Sequence, residues 1–305
     1  MSLLSMLSRN GPSGFGYGST AEDVTAGLAL SGRTYLVTGC NSGLGKETLR
    51  VLTLRGARVF GTARTVDKAR EACAEFGQSA TGLACELADP ASVRACVEAV
   101  ARDGARLDGI LCNAGIMALP RRELAHGVEL QLFTNHVGHF ILVTGLLDRL
   151  SDDGRVVMTS SDAHRAAPRA GVDLDDLACE RGYQPWRAYG QSKLANILFA
   201  KELSRRLAGG RRTANAVHPG VIATNLGRHM SPAMQIGLAI GKPLFLKTIA
   251  QGAATQCYVA AHPGAAAVTG EYWKDCNVGR PRADANDEGL ARRLWEATEA
   301  LVARL

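Results

Sequence analysis

Paired cysteines are missing from this sequence. Its eight cysteines (Cys40, Cys73, Cys85, Cys96, Cys112, Cys179, Cys257 and Cys276) are scattered, and none stands in a C-x-x-C pair. Neither a disulfide framework nor a zinc site is therefore expected. Several of the cysteines sit in apolar runs, which suits free buried thiols in a reducing compartment. Cys40 stands apart because it precedes a helix N-terminus, where a thiol pKa can fall. Aromatic residues are scarce, at 5%, and none interleaves with the densest basic cluster, Arg205, Arg206, Arg211 and Arg212. That argues against a nucleic-acid partner, while the net charge of +6 suits an anionic small molecule. No run reaches the roughly 18 apolar residues of a spanning helix. The nearest approach, "MQIGLAIGKPLFLKTIA" (234–250), is broken by Lys242 and Pro243. No basic stretch leading into a long apolar run opens the chain, so no secretory signal is expected and the location reads as cytoplasmic.

The rest of the composition is that of an ordinary globular chain: 305 residues, 46% hydrophobic and 21% charged. Residues 1–18 are rich in Gly and Ser and read as a flexible N-terminal arm. Ser19 and Glu22 fit a capping box for a short helix. Short β-branched runs follow at 34–39, 57–63, 109–115, 155–161 and 213–220. Helix-period segments lie between and after them, at 44–55, 66–76, 90–103, 123–150 and 189–208. This alternation predicts a doubly wound parallel sheet, an α/β Rossmann fold with helices on both faces, in a single domain over 19–305. Residues 221–250 break the pattern and read as a substrate lid.

The segment "TYLVTGCNSGLGKETLRVL" (34–52) reads as strand, glycine-rich turn and helix. Gly39, Gly43 and Gly45 follow a G-x-x-x-G-x-G spacing, a variant of the dinucleotide fingerprint. The glycines allow a tight turn and close approach of the backbone to a pyrophosphate, which the helix N-terminus then attracts. The second strand ends in Ala63 and Arg64, with no carboxylate where an NAD site would take the ribose 2′-hydroxyl. An arginine there can fork onto a 2′-phosphate, which favours NADP. Lys46 could assist or could be a solvated lysine of the first turn.

Taken together, these segments resemble the short-chain dehydrogenase/reductase superfamily over roughly residues 20–290. "TGCNSGLG" matches its cofactor loop, which implies that Asn41, Ser42 and Leu44 join the glycines in holding the dinucleotide. "NAG" (Asn113, Ala114, Gly115) matches the signature after the fourth strand, on the adenosine side. "NHVGHF" carries the helix asparagine, Asn135. "VVMTSS" supplies the serine, placed at Ser161 with Ser160 as the alternative. "YGQSK" supplies Tyr189 and Lys193, and "HPGVIAT" supplies Pro219, Gly220 and Thr224, which cover the nicotinamide. Longer runs such as "SSDAH" and "HPGVIATNLGRH" resemble the group of retinol dehydrogenases and WW-domain oxidoreductase, although this chain has no WW domain. Two positions depart from the pattern. Glu86, followed by Leu87, stands where relatives carry Asp for the adenine, and Cys40 replaces the usual alanine.

The resemblance implies an interconversion of carbonyl and alcohol. A tyrosine phenol, with an ordinary pKa near 10, is a poor proton shuttle at neutral pH unless a nearby ammonium lowers it. Lys193, one helical turn on, is expected to do so. Ser161 would donate to the substrate oxygen, and Asn135 implies a water-linked proton path to Lys193. Ser161 and Tyr189 lie 28 positions apart, and the insertion between them is expected to wall the substrate cleft. His136 and His139 share a helix face but lack further ligands, so a packing or polar role is expected and no metal site. His164 is a candidate substrate contact. The expected enzyme is an NADP(H)-dependent oxidoreductase of a lipophilic aldehyde or ketone. The apolar stretch 231–250 is either its lid or a peripheral membrane contact, and a homo-oligomer stays open. Two other readings are a reductase of C=C bonds resembling protochlorophyllide reductase, and a non-catalytic NADP-binding scaffold.

Overall fold

The structure, a computed structural model, describes residues 8–222 and 246–305. Thr224 and most of the expected lid therefore lie outside the described residues.

Eight strands form one sheet: β1 (Thr34–Thr38), β2 (Arg58–Ala63), β3 (Ala80–Ala84), β4 (Leu107–Cys112), β7 (Leu150–Thr159), β8 (Thr213–His218), β9 (Tyr272–Lys274) and β10 (Asn277–Val278). Their spatial order is β10-β9-β8-β7-β4-β1-β2-β3. Every pairing is parallel except β9 with β10. The order reverses direction between β1 and β4, and the crevice at such a switch point is where an open α/β sheet binds its ligand. Three of these strands escaped the sequence reading. β3, "ATGLA", is only half-buried and poor in β-branched residues, while β9 and β10 are too short to show alternation.

The helices are α1 (Ala21–Thr25), α2 (Gly43–Leu54), α3 (Val66–Ala74), α4 (Pro90–Asp103), α5 (Leu130–Arg149), α6 (Pro185–Arg206), α7 (Ile249–Ala261) and α8 (Glu288–Val302). One face of the sheet packs against α4, α5, α6 and α8, and the other against α1, α2 and α7. α5 begins later than the 123–150 periodicity suggests. Leu124–Ala125 and Val128–Glu129 form a small antiparallel ribbon (β5 and β6) turned by His126 and Gly127, both at positive φ. Buried Glu129 then caps α5 by accepting from Leu132 N–H at 2.9 Å. α5 is long and apolar enough to cross a membrane, yet 78% of that stretch is buried, so it serves as the core helix. Trp295 of α8 stacks on Phe199 of α6 with centroids 5.3 Å apart and meets Phe140 of α5 edge-on at 4.9 Å.

Two local expectations need correction. The capping box of α1 is Thr20 with Asp23, one residue beyond Ser19 and Glu22. Ser19 Oγ instead accepts from Gly16 N–H at 3.0 Å. Residues 8–18 are also not a loose arm. Asn277 accepts from Ser13 N–H and donates to the Phe15 carbonyl, each at 3.0 Å, and the Phe15 ring packs against Tyr258 and His262. The aromatic rings of Phe15 and Tyr17 and the bonds to Asn277, rather than the glycine content, decide where this segment goes.

Candidate active site

The turn between β1 and α2 is a cradle that only glycine can line. Gly39 holds φ at 70°, and a Cβ there would stand 3.0 Å from Ala114 Cβ. A Cβ at Gly45 would run into the Gly39 carbonyl and stand 2.7 Å from Asn113 Nδ2. Ser42 is the N-cap of α2, but its side chain caps nothing, and among the described residues no side-chain bond is made to the N–H groups of Gly43, Leu44 or Gly45. Open N–H donors at the positive end of a helix, with no side chain in front of them, fit a pyrophosphate. Asn41 and Leu44 belong to the same turn.

Arg64 follows β2 directly and is exposed, with no hydrogen bond or ion pair among the described residues. Lys46 is committed elsewhere, to Glu75 at 3.0 Å on the surface. Glu86 turns back on its own loop and accepts from Ala88 N–H at 3.2 Å, while Leu87 beside it is buried. Cys40 is fully buried, and the adjoining Cys73 thiol together with burial pushes its pKa up. The lowered thiol expected from its place before a helix is thus absent, because the side chain points into the core rather than at the helix end.

Asn113, Ala114 and Gly115 leave β4 over the switch point. Thr38 Oγ accepts from both Asn113 N–H and Ala114 N–H at 2.9 Å, and Asn113 Nδ2 donates to the Thr38 carbonyl at 2.9 Å. The Thr38 hydroxyl also meets His139 Nε2 at 2.9 Å, and His139 Nδ1 lies 3.0 Å from the Asn135 carbonyl. A carbonyl can only accept, so Nδ1 carries the proton and Nε2 accepts from Thr38. Every polarity in this relay is determined, and it joins the cofactor turn to Asn135. Thr38 escaped sequence reading because a polar residue at the end of a fully buried strand looks like any other β-branched one.

Asn135 sits inside a π-helical turn, Phe133–Val137. Its Oδ1 accepts from Ile116 N–H at 2.8 Å, and its Nδ2 donates to the Ile116 carbonyl and to Ser192 Oγ, both at 2.9 Å. The amide is therefore a rivet between α5, the loop after Gly115 and α6.

The end of β7 separates the two serines. Ser160 is buried and donates to the Lys193 carbonyl at 2.8 Å. Ser161 accepts from Ala163 N–H at 3.2 Å and lies beside the Tyr189 hydroxyl, whose deprotonation it eases. Lys193 is buried, donates to the Thr159 carbonyl at 3.0 Å and holds its ammonium 5.6 Å from the Tyr189 ring centroid. Burial pushes the phenol up to about 12 and the ammonium down to about 8. The expected lowering of Tyr189 by Lys193 is not present in the protein alone. Desolvation disfavours both charged forms, and no neighbouring charge offsets it. Pro219 and Gly220 follow β8 at the same edge. His164 is fully buried, with Nδ1 2.6 Å from the Ser161 carbonyl and Nε2 accepting from Arg282 N–H at 3.0 Å, so it is a strut and not a substrate contact.

His136 and His139 are buried and neutral. Burial pulls their pKa values from 6.5 down to about 3 and about 4. Among the described residues no group of three or more His, Cys, Asp or Glu side chains could hold a metal. An unfolded chain binds protons at these histidines below about pH 6.5, and the folded one does not. Stability should therefore fall with pH through that window, by up to about 1.4 kcal/mol per pH unit for each histidine. Urea unfolding at neutral and mildly acidic pH measures this; an unchanged midpoint would contradict the burial.

A glycine cradle at the switch point of a parallel sheet, facing a buried Tyr–Lys pair, defines an oxidoreductase that binds a nicotinamide dinucleotide. The family model described as short chain dehydrogenase matches residues 33–173. The chain is 40% identical over 306 residues to the chloroplastic short-chain dehydrogenase TIC 32 B of Brassica napus, covering 96% of this chain and 95% of the relative. It is 37% identical to human retinol dehydrogenase 14, over 90% and 88% of the two chains. A blue fluorescent protein from a metagenomic library, solved in complex with NADPH, superposes with a TM-score of 0.64 at 25% identity. That match covers 81% of this chain and 97% of that one. The chain belongs to the short-chain dehydrogenase/reductase family.

Proposed function

We propose that this protein interconverts a lipophilic aldehyde or ketone and the corresponding alcohol, using NADP(H), with Tyr189 as the proton donor and acceptor. The observation that carries the reading is the half-buried Ser161 beside the buried Tyr189 and Lys193, at the end of the sheet where the glycine turn opens. When bound, the nicotinamide supplies or accepts the hydride. The turn from Gly39 to Gly45 would hold its pyrophosphate, and Asn113 to Gly115, Pro219 and Gly220 would flank it. Glu86 and Leu87 would lie toward the adenine, and Thr224 would help to cover the nicotinamide. Ser161 donates to the substrate oxygen and stabilises the charge that develops there. Tyr189 delivers the proton to that oxygen. Lys193 replenishes it from solvent through a water on the second lone pair of the Asn135 carbonyl. The lipophilic substrate class is supported by the likeness to retinol dehydrogenase 14.

The preference for NADP rests on Arg64, an unpaired cation where the adenine ribose would end. Loss of a charge-assisted bond to a 2′-phosphate costs about 1.5–3 kcal/mol, roughly a ten- to hundredfold change. Arg64→Ala is expected to raise KM for NADPH by that factor and leave KM for NADH nearly unchanged. Equal effects on both cofactors would remove the 2′-phosphate assignment.

A further inference from the structure

Directly after Ser161, the Asp162 carboxylate gathers three donors from the two neighbouring strands. Oδ2 faces Lys274 Nζ at 2.7 Å and His218 Nε2 at 3.2 Å, and Oδ1 accepts from Tyr272 O–H at 3.1 Å. The Asp162 N–H points at His218 Nδ1 at 3.3 Å. Nδ1 is thus the accepting nitrogen, and Nε2 carries the proton toward the carboxylate. His218 is buried and straddles the main chain and side chain of one residue. Its own chain runs straight on into Pro219 and Gly220.

We propose that Asp162 and His218 form a positioning clamp, which sets the Ser161 hydroxyl in register against Tyr189. This inference rests on the roles assigned to Ser161 and Tyr189 above. The clamp explains why a surface-reaching carboxylate is fully engaged. Hydrogen bonding from His218, then from Lys274, holds its pKa well below the usual carboxylate range. The rest of the turn has no such freedom to take up slack, because Ser161 Oγ accepts from Ala163 N–H and the Ser161 carbonyl faces His164. A shift of Asp162 is therefore passed to the serine hydroxyl.

Such a clamp makes a prediction that a merely stabilising ion pair does not. Displacement of a catalytic group by about 1 Å costs on the order of a hundredfold in rate. Asp162→Asn keeps the shape but removes the charge. It is expected to lower kcat by up to that factor on an aldehyde turned over by the wild type, with KM for NADPH unchanged within about twofold. In a Ser161→Ala background the same substitution should have little further effect on kcat, because it acts through the serine. If the two losses multiply, the clamp is refuted and Asp162 acts elsewhere. Wild-type kcat in Asp162→Asn would refute it as well.

Should Asp162→Asn fail to fold, Tyr272→Phe deletes only the Oδ1 contact and carries the same cycle, with a smaller loss of a few fold. Tyr189→Phe, run in parallel, keeps the two readings apart. If it retains full turnover, the proposed mechanism fails. If it is inactive while Asp162→Asn behaves as wild type, only the clamp fails. A wild type inert toward every carbonyl tested counts against the function and the clamp together.

Discussion

Tyr189→Phe should bind NADPH as the wild type does and lose nearly all turnover. General acid catalysis by a positioned side chain is worth about 10²–10⁴-fold, and here the phenol is the hydroxyl that stands beside Ser161. The ring itself stays useful, since it packs edge-on against Trp186 at 6.1 Å and beneath the Lys193 ammonium. Phenylalanine keeps both contacts, so the fold and the cofactor site should survive. Cofactor binding is read from the fluorescence of NADPH, and turnover from its absorbance during reduction of an aldehyde panel. Retained turnover would show that the proton comes from another group. The unliganded phenol, pushed up to about 12 by burial, is not yet tuned for neutral pH. Whatever brings it down must arrive with the ligands, so kcat should carry the lower pKa of the complex rather than that of the free protein.

The second large effect belongs to Gly45→Ala. One methyl group placed at the Gly39 carbonyl and 2.7 Å from Asn113 Nδ2 has nowhere to go, because both neighbours are backbone or backbone-bound. The turn must open, and the first-turn N–H groups then no longer converge. Saturating NADPH stabilises a binding-competent protein by about 2.7 kcal/mol at a hundred times Kd. For the wild type that amounts to a rise in Tm of a few degrees. For Gly45→Ala the rise is expected to vanish, while the unliganded protein still melts cooperatively. An unchanged NADPH-dependent shift would mean that the cradle is not where the dinucleotide binds.

Much of this site could be read from residue order alone, for a physical reason. The glycine turn, "NAG", "YGQSK" and "HPG" all lie at strand or helix ends, and their chemistry depends on local backbone geometry that short motifs encode. Contacts between distant segments were harder to see. Thr38 reaches Asn113 and His139 across 75 and 101 positions, and nothing in "TYLVTG" marks its hydroxyl as shared. Residue order does not carry where the strand pleat sends the two serines: Ser160 turns into the core to bond the Lys193 carbonyl, while Ser161 stays half-buried beside Tyr189. The pKa values were misjudged because spacing reports the approach of Lys193 to Tyr189 but not the desolvation of both. Short β9 and β10 carry no periodicity, and β9 holds its place through Tyr272 and Trp273 in the core.

Where the domain begins follows from a single ring. Phe15 rests on Tyr258 of α7 and on His262 just after it, and the Tyr17 ring centre lies 4.7 Å from the buried Lys247 ammonium. A chain trimmed back to Thr20 would therefore uncover a socket on α7 and leave one face of Lys247 bare, although it removed no catalytic group. For anyone choosing boundaries for expression or fusion, Phe15 and Tyr17 therefore belong inside the retained chain.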